Sequence, residues 1–372
     1  MPEPGASGKN NKIFAYVGCF TTQARNGKGD GISAYRINPA TGAWRSIQYV
    51  GGLVNPSWLL TNRDGNVLYA LHADEDYASS YAIDRTNGRL TPLNSASTGG
   101  RNGVSAKLDP TEKFLIVANY ASGTVAVLPV ATDGSLGEAV HVYDLPGEAR
   151  PRHRIGHQGS SHPHDIVLDP SGRFVVVPDK GLDRVSVFKF DSRQGRLSPA
   201  GRGYMDARSG AGPRHMAFHP TRAVAWVLNE LDSTITTCRW DGRRGILMPF
   251  EVTSALPGDF TGNNQTAEIE FVAASSTLYV SNRGHDSVAM FRVNRTTGVP
   301  RPIGWQPIGG KDPRLFVLYP GGRSLYAANL SSDTIRCFHM DERTGALSTT
   351  RQIIKAPSPC AIAFVSSDRS KP

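Results

Sequence analysis

The sequence predicts an all-β protein, a seven-bladed β-propeller, and two observations lead to this prediction. A short strand of the form apolar-apolar-x-x-polar, followed by a turn, recurs at intervals of about 50 residues. The seven copies are FAYVGCF (14–20), LYALHAD (68–74), LIVANYA (115–121), VVVPDKG (175–181), WVLNELD (226–232), LYVSNRG (278–284) and LYAANLS (325–331). The repeat consists only of short strands and turns, which is typical of a propeller in which each copy belongs to one four-stranded blade.

The length of the chain supports a single domain. Seven units of about 50 residues fill the 372 residues and leave no room for a second domain. The 39 Gly and 25 Pro are spread evenly, as many tight turns require. We predict a disordered lead-in over residues 1–12, one propeller domain over 13–366 and a C-terminal tail over 367–372.

Each repeat contains four strand signals in a constant order. A first strand ends near an Asp-Pro or its substitute, as at Asp169-Pro170, and a turn leads into the repeated strand quoted above. A third strand shows period-2 alternation, as in residues 184–190. A loop of the form Asn/Asp-x-x-x-Gly-x-Leu follows, as in residues 84–90, and opens the outer strand. We expect its Gly to adopt a positive φ.

The two ends of the chain are predicted to share one blade. Residues 360–365 match the first-strand type, whereas the N-terminal part opens directly on the second-strand type at Phe14. Pairing these strands would close the ring and remove exposed strand edges.

Composition narrows the class of function. Four dispersed cysteines without a C-x-x-C motif favour a reduced, cytoplasmic protein. No apolar run approaches the ~20 residues of a membrane span, and no signal peptide is visible. The net charge of +9 is scattered through turns, which favours neither nucleic acid nor a membrane surface as a partner. We expect a monomer that binds an anionic small molecule.

Two repeat positions carry ionisable residues in the last four blades. Six residues before the Pro-like position stand Ser57, Val104, His164, Arg214, Ala267 and Arg314, and the strand-end position carries Cys19, Ala73, Tyr120, Lys180, Glu230, Arg283 and Leu330. One position lies near a strand start and the other just past the end of its antiparallel neighbour, so both should reach the same face of the ring. Several cations with one carboxylate suit an anionic substrate.

Other polar features are interpreted as structural. The ring of His72, Asn119, Asp179, Asn229, Asn282 and Asn329 is interpreted as capping of strand-end turns, with calcium ligation as the alternative. The segment 162–165 (HPHD) lacks partners at zinc-ligand spacing, and neither a G-x-S-x-G motif nor a P-loop occurs. We therefore predict no metal and no cofactor. Two inserted stretches, 143–161 and 255–266, are candidates to border a pocket.

The middle of the chain resembles the seven-bladed lactonase family, which includes propeller-type 6-phosphogluconolactonases and fungal carboxymuconate-lactonising enzymes. The resemblance lies in residues 210–220 (GAGPRHMAFHP) with 228–231 (LNEL), in 162–164 (HPH), in 281–284 (SNRG) and in 312–314 (DPR). It implies a propeller fold and extends over nearly the whole chain. One departure is Glu270, where the family usually has His.

The resemblance implies a set of site residues. The family's catalytic histidine corresponds to His164, its two arginines to Arg214 and Arg283, and its glutamate to Glu230. Substrate-binding residues are expected to be Arg314, which matches a further family arginine, together with Lys180, His162 and His215.

Lactone hydrolysis needs an activated water and stabilisation of the carbonyl oxygen as charge develops on it. Either Glu230 or His164 would accept the proton from water, and Arg214 or Arg283 would stabilise the oxyanion. The substrate is expected to be an anionic lactone such as 6-phosphogluconolactone. Alternatives are a carboxymuconate-type lactonising enzyme, a calcium-dependent lactonase and a non-catalytic propeller that binds a protein partner.

Overall fold

The computed structural model describes residues 12–145 and 158–366. Its strands form seven four-stranded antiparallel sheets, which confirms the predicted seven-bladed propeller. The predicted tail and all but the last residue of the predicted lead-in lie outside the described residues, as does most of the first inserted stretch. The described residues include two 3₁₀-helices, Gln23–Arg25 and Leu330–Ser332. Neither has the length or apolar character that a membrane-spanning helix requires.

The blades follow one another along the chain. In blades 2 to 7 the strands run in chain order from the innermost to the outermost, and in blade 1 the innermost strand comes from the C-terminal end. Blade 1 contains β1 (Ile13–Cys19), β2 (Gly31–Ile37), β3 (Trp44–Gly51) and, innermost, β28 (Pro359–Ser366). Blade 2 contains β4 (Pro56–Thr61), β5 (Val67–His72), β6 (Tyr77–Ile83) and β7 (Leu90–Ser97); blade 3 contains β8 (Gly103–Leu108), β9 (Phe114–Asn119), β10 (Thr124–Pro129) and β11 (His141–Asp144). Blade 4 contains β12 (Val167–Leu168), β13 (Phe174–Asp179), β14 (Arg184–Asp191) and β15 (Arg196–Asp206); blade 5 contains β16 (Pro213–Phe218), β17 (Val224–Asn229), β18 (Thr234–Asp241) and β19 (Ile246–Ser254). Blade 6 contains β20 (Gln265–Val272), β21 (Thr277–Arg283), β22 (Ser287–Val293) and β23 (Pro300–Pro307); blade 7 contains β24 (Pro313–Leu318), β25 (Ser324–Asn329), β26 (Thr334–Met340) and β27 (Leu347–Lys355).

The ring closes through the predicted pairing of the two ends. β28 is antiparallel to β1 from Ile13 opposite Ser366 to Cys19 opposite Pro359. The described part of the chain therefore has no incomplete blade, and the edge of β1 is covered.

The outer hairpins follow the Asp-x-x-x-Gly pattern. The amide of Gly88 donates to the carbonyl of Asp84 at 2.6 Å, and Gly88 has the predicted positive φ of 79°. Gly195 and Gly345 occupy the same place in blades 4 and 7, with φ of 64° and 68°. A Cβ atom at Gly88 would also collide with the ring of Phe14 in the preceding blade, so both conformation and packing favour glycine here.

The hydrophobic core lies between adjacent blades, and an aromatic side chain joins several of them. The Tyr16 hydroxyl donates to the Gly88 carbonyl of the next blade's hairpin at 3.0 Å, and Trp226 Nε1 donates to Gly298 in the same way at 2.9 Å. Both aromatic side chains are fully buried. The hydrogen bond satisfies the one polar atom that each side chain carries into the core.

Candidate active site

β-Bulges on the innermost strands set the direction of the site residues. In β16 the pairing skips Arg214 between Pro213 and His215, and in β24 it skips Arg314 in the same way. Equivalent bulges lie at Ser57, Val104 and Cys360, while in β20 the interruption spans residues 267 and 268. In blade 4 a bridge between Pro163 and Asp179 gives His164 the corresponding place. A bulge bends its strand and re-aims one side chain, and bulges are common beside active sites.

The strand pairing corrects the predicted register in blade 1. Cys19 lies opposite Pro359, just as Asn229 lies opposite Pro213 in blade 5. Cys19 is thus equivalent to the Asn/Asp/His ring, and Phe20 occupies the position that Glu230 occupies in blade 5. The error arose because blade 1 lacks the Asn, Asp or His that marks the strand end in the other blades.

A cavity of about 420 Å³ opens where the innermost strands begin, and we call it the mouth cavity. Its volume is in the range of small-molecule sites. It is lined by Arg25, Ala73, Asn102, Val104, Tyr120, Ala121, His162, His164, Lys180, Glu230, Arg283 and Arg314. Six of the eight predicted site residues therefore line one cavity, and Arg214 reaches its wall through contact with Glu230.

Glu230 is the centre of a buried charge cluster. Its Oε1 accepts from Lys180 Nζ at 2.5 Å, and its Oε2 lies 2.8 Å from Arg214 Nε and 3.2 Å from an Arg283 terminal nitrogen. The Glu230 side chain is 5% exposed and that of Arg214 is 3% exposed. Three cations surround one carboxylate, which leaves an excess of positive charge facing the cavity.

The surroundings keep Glu230 ionised. Burial by itself raises the pKa of Glu230, but the charges of Arg283, Arg214 and Lys180 outweigh burial and hold that pKa well below its ordinary range. Burial lowers the pKa of Arg214 to about 10, and it lowers that of Lys180 against the opposing effect of Glu230. Arg214 therefore still carries its proton near pH 7.

His164 is buried in the wall of the same cavity and is neutral near pH 7. Burial, followed by the charge of Arg214, lowers the pKa of His164 well below its usual value. Its Nδ1 is buried and has no hydrogen-bond partner among the described residues. The ring packs edge-on against Tyr120, with 5.6 Å between centroids.

Arg314 differs from the other cations of the cavity. Among the described residues it pairs with no carboxylate, and its guanidinium lies over the Phe20 ring, 5.3 Å from the centroid. Partial burial and the charge of Arg283 lower the pKa of Arg314, as expected for a half-buried cation without a counter-ion. Arg314 is therefore the cation of the mouth cavity that is best able to accept an external anion.

Comparison with known proteins agrees with this architecture. A family model described as "Lactonase, 7-bladed beta-propeller" matches residues 14–364. The chain belongs to this lactonase family. It is 31% identical over 360 residues to a Bacillus subtilis protein named 6-phosphogluconolactonase, covering 95% of this chain and 99% of the relative. A Formosa agariphila protein of the same name is 27% identical over 341 residues, covering 89% and 94%. The solved structure of a Pseudomonas aeruginosa periplasmic gluconolactonase superposes with a TM-score of 0.85 at 30% identity, covering 95% and 99%.

The two remaining predicted histidines occupy different places in this lactonase-family chain. His162 lines the mouth cavity, where its ring stacks on Tyr120 and its Nδ1 lies 2.8 Å from the Tyr120 carbonyl oxygen. His215 lies behind Arg214 and lines a second cavity of about 390 Å³ formed by the innermost strands, which we call the channel cavity. Glu270, where the resemblance led us to expect His, also lines the channel cavity and not the mouth cavity.

Sequence reasoning did not single out Tyr120 or Arg25 as site residues. Tyr120 occupies the strand-end repeat position, so its place could have been read from the repeat, and burial raises its pKa to about 12. Arg25 comes from the loop between β1 and β2, which is longer than the corresponding loops of the other blades, and it forms a two-point ion pair with Asp74. Residues 255–266 contribute nothing to the lining of the mouth cavity.

The ring of Asn, Asp and His side chains forms hydrogen bonds at the strand ends, as the structural interpretation predicted. Asn229 Nδ2 donates to the hydroxyls of Thr234 and Thr236, both at 2.9 Å. Asp179 accepts from the Ser161 hydroxyl and from the backbone amides of residues 162, 181 and 182. Within residues 12–145 and 158–366, no three His, Cys, Asp or Glu side chains are grouped as metal ligands.

Proposed function

We propose that this chain hydrolyses an anionic sugar lactone, 6-phosphogluconolactone, in the mouth cavity. One observation carries the proposal: in a chain of the lactonase family, a carboxylate held by three cations lies in the same cavity as a neutral histidine and an unpaired arginine. Relatives named 6-phosphogluconolactonase support the choice of substrate.

In this mechanism His164 accepts the proton from the water that attacks the lactone carbonyl, and returns it to the ring oxygen when the bond between that oxygen and the carbonyl carbon breaks. Both oxygens of Glu230 are occupied by cations and its pKa is very low, so Glu230 is a poor proton acceptor and serves to hold the cations in place. The Nδ1 atom of His164 forms no hydrogen bond with the described residues, and the pKa of a free imidazole lies closer to neutrality than that of a carboxyl group. An anionic substrate would offset the positive field of Arg214 and Arg314 and raise the pKa of His164 towards the working range.

The cations have two separate tasks. Arg214 and Arg283, which flank Glu230, stabilise the oxyanion that forms when water attacks the lactone carbonyl. Arg314, together with Lys180 in the lining of the same cavity, binds the phosphate, because a guanidinium offers paired donors to such a group. No metal ion takes part in the proposed steps. A monomer and a cytoplasmic location remain predictions, and one solved relative is described as periplasmic.

The decisive experiment is the rate of 6-phosphogluconolactone hydrolysis by the purified protein, with and without EDTA. We expect a rate well above the spontaneous one, unchanged by EDTA, and an Arg214→Ala protein that loses about 10²–10³-fold in kcat/KM. Ser57→Ala is the matched control because Ser57 is the bulged residue of blade 2.

A wild-type rate equal to the spontaneous rate would contradict the proposal. Loss of activity in EDTA would favour the calcium-dependent alternative. Conversion of a carboxymuconate into a lactone, detected by product analysis, would favour the lactonising alternative.

A further inference from the structure

Arg214 is held in place from behind by blade 6. One of its terminal nitrogens donates to the Ala267 carbonyl at 2.5 Å and lies 2.9 Å from His215 Nε2. The other ring nitrogen of His215, Nδ1, lies 2.8 Å from Glu268 Oε1. A continuous chain of contacts therefore runs from the charge cluster of the mouth cavity, through Arg214 and His215, to Glu268 in the channel cavity.

The chemistry of arginine fixes the protonation of this chain. A guanidinium has only donors, so His215 Nε2 must accept the hydrogen bond from Arg214. Because burial lowers the pKa of His215 to about 3, the ring is neutral and its single proton lies on Nδ1. Nδ1 then donates to Glu268 Oε1, and Glu268 decides which way the His215 ring faces.

Glu268 is itself well anchored. Its backbone amide donates to the Ser281 hydroxyl at 3.0 Å, and its Oε1 also accepts from the Ile269 amide at 3.1 Å. Its Oε2 is buried and has no hydrogen-bond partner in the described part of the chain. A buried carboxyl oxygen without a hydrogen bond destabilises the folded state, so Glu268 is better explained by a role in the site than by stability.

We propose that Glu268 is a positioning residue for the reaction, which holds Arg214 in its working orientation through His215. This inference rests on the lactone hydrolysis proposed above. Glu268 touches no substrate; it sets the His215 tautomer, and that tautomer provides the acceptor that Arg214 requires. Locking a catalytic side chain through a second layer of hydrogen bonds preserves the geometry on which transition-state stabilisation depends.

Two variants of Glu268 separate the loss of its hydrogen bond with His215 from the loss of its packing volume. Glu268→Gln retains an oxygen that can accept from His215, whereas Glu268→Leu retains the bulk and removes the acceptor. Glu270→Leu is the control, because Glu270 lines the same cavity from the same strand and has no hydrogen bond to His215.

We expect Glu268→Leu to lose about 10–100-fold in kcat with KM changed less than about twofold, because Arg214 acts on the transition state. Glu268→Gln and Glu270→Leu should stay within about threefold of wild-type kcat. A folded Glu268→Leu protein with wild-type kcat would overturn the proposal. A folded Glu268→Gln protein whose kcat is as low as that of Glu268→Leu would also overturn it. The hydrogen bond accepted from His215 would then not be the contribution of Glu268.

A second readout does not depend on activity. ¹⁵N NMR of histidine-labelled protein, with the His215 signals assigned by His215→Gln, reports which ring nitrogen carries the proton. We expect the proton on Nδ1 in wild type and Glu268→Gln, and a shift to Nε2 or a mixture in Glu268→Leu. A proton on Nε2 in wild type would refute the arrangement. If the wild type hydrolyses no lactone, the proposed function fails while the NMR result still decides this point.

Discussion

Blades 1 to 3 and blades 4 to 7 have the same backbone but opposite chemistry at two repeat positions. In blades 1 to 3 these positions carry Phe20, Ala73 and Tyr120 at the strand end and Cys360, Ser57 and Val104 at the bulge. In blades 4 to 7 they carry Lys180, Glu230, Arg283 and Leu330 at the strand end and His164, Arg214, Ala267 and Arg314 at the bulge.

This difference distinguishes the features that the propeller fold requires from those that the candidate site requires. The bulges occur in both halves, so the backbone does not require a charged residue at either position. Burying several cations around Glu230 is costly even with good pairing, and apolar residues often stabilise a fold as well or better. The charges of blades 4 to 7 are therefore best explained by a task beyond folding.

Removing the closing strand tests the structural half of the comparison and should have the largest effect. Deletion of residues 357–372 removes β28 and exposes the edge of β1. We expect the Tm to fall by roughly 10 °C or more, or cooperative unfolding to be lost. Differential scanning calorimetry measures this, with deletion of residues 367–372 as the control. An unchanged Tm after the longer deletion would contradict the shared blade.

Neutralising the central carboxylate tests the charged half. Glu230→Gln leaves Lys180, Arg214 and Arg283 buried without their counter-ion, which should cost about 3–5 kcal/mol in the free energy of unfolding. Inorganic phosphate should restore part of that loss. Asp206→Asn, which removes the more exposed ion pairs of Asp206 with Arg184 and Arg202, should cost less than Glu230→Gln, about 1 kcal/mol. If urea titrations showed equal losses in the free energy of unfolding for the two variants, the charge cluster would contribute no more than a surface ion pair.

The pH dependence of stability tests the burial of Glu268. Burial raises the pKa of Glu268 from 4.5 to about 7, so the folded state favours the protonated carboxyl. As pH rises from about 4.5 to 7 the unfolded chain releases this proton first, and the folded state loses up to about 3 kcal/mol. Urea titrations at pH 5 and pH 8 should show this loss in wild type and a smaller one in Glu268→Gln. Identical losses in both proteins would contradict the assignment.

Replacing Arg314 should have the smallest effect, and that effect should be confined to the phosphorylated substrate. Arg314→Gln should raise KM for 6-phosphogluconolactone about tenfold or more, because a charge-assisted contact to phosphate is lost. KM for unphosphorylated gluconolactone should hardly change. Arg323→Gln, at an exposed ion pair with Glu342, is the control. An equal rise in KM for both substrates would show that Arg314 does not bind the phosphate.

The sequence allowed prediction of the propeller and the shared blade, and six of the eight predicted site residues line one cavity, because a repeat makes distant residues comparable. The register at Cys19 was wrong, since blade 1 lacks the usual marker at its strand end. Arg25 could not have been found from the repeat, because it lies in the additional residues of a loop that is shorter in the other blades.

The sequence by itself determined which side chains reach the same face of the ring. That information is local: strand periodicity, turn residues and repeat spacing all act over a few residues. Only the tertiary structure decided how those side chains divide the work. Glu230 is saturated by cations from blades 4, 5 and 6, and His215 turns away from the mouth cavity towards Glu268. Both outcomes depend on contacts between blades and on the bulges that re-aim single residues, and no pattern within one repeat encodes them.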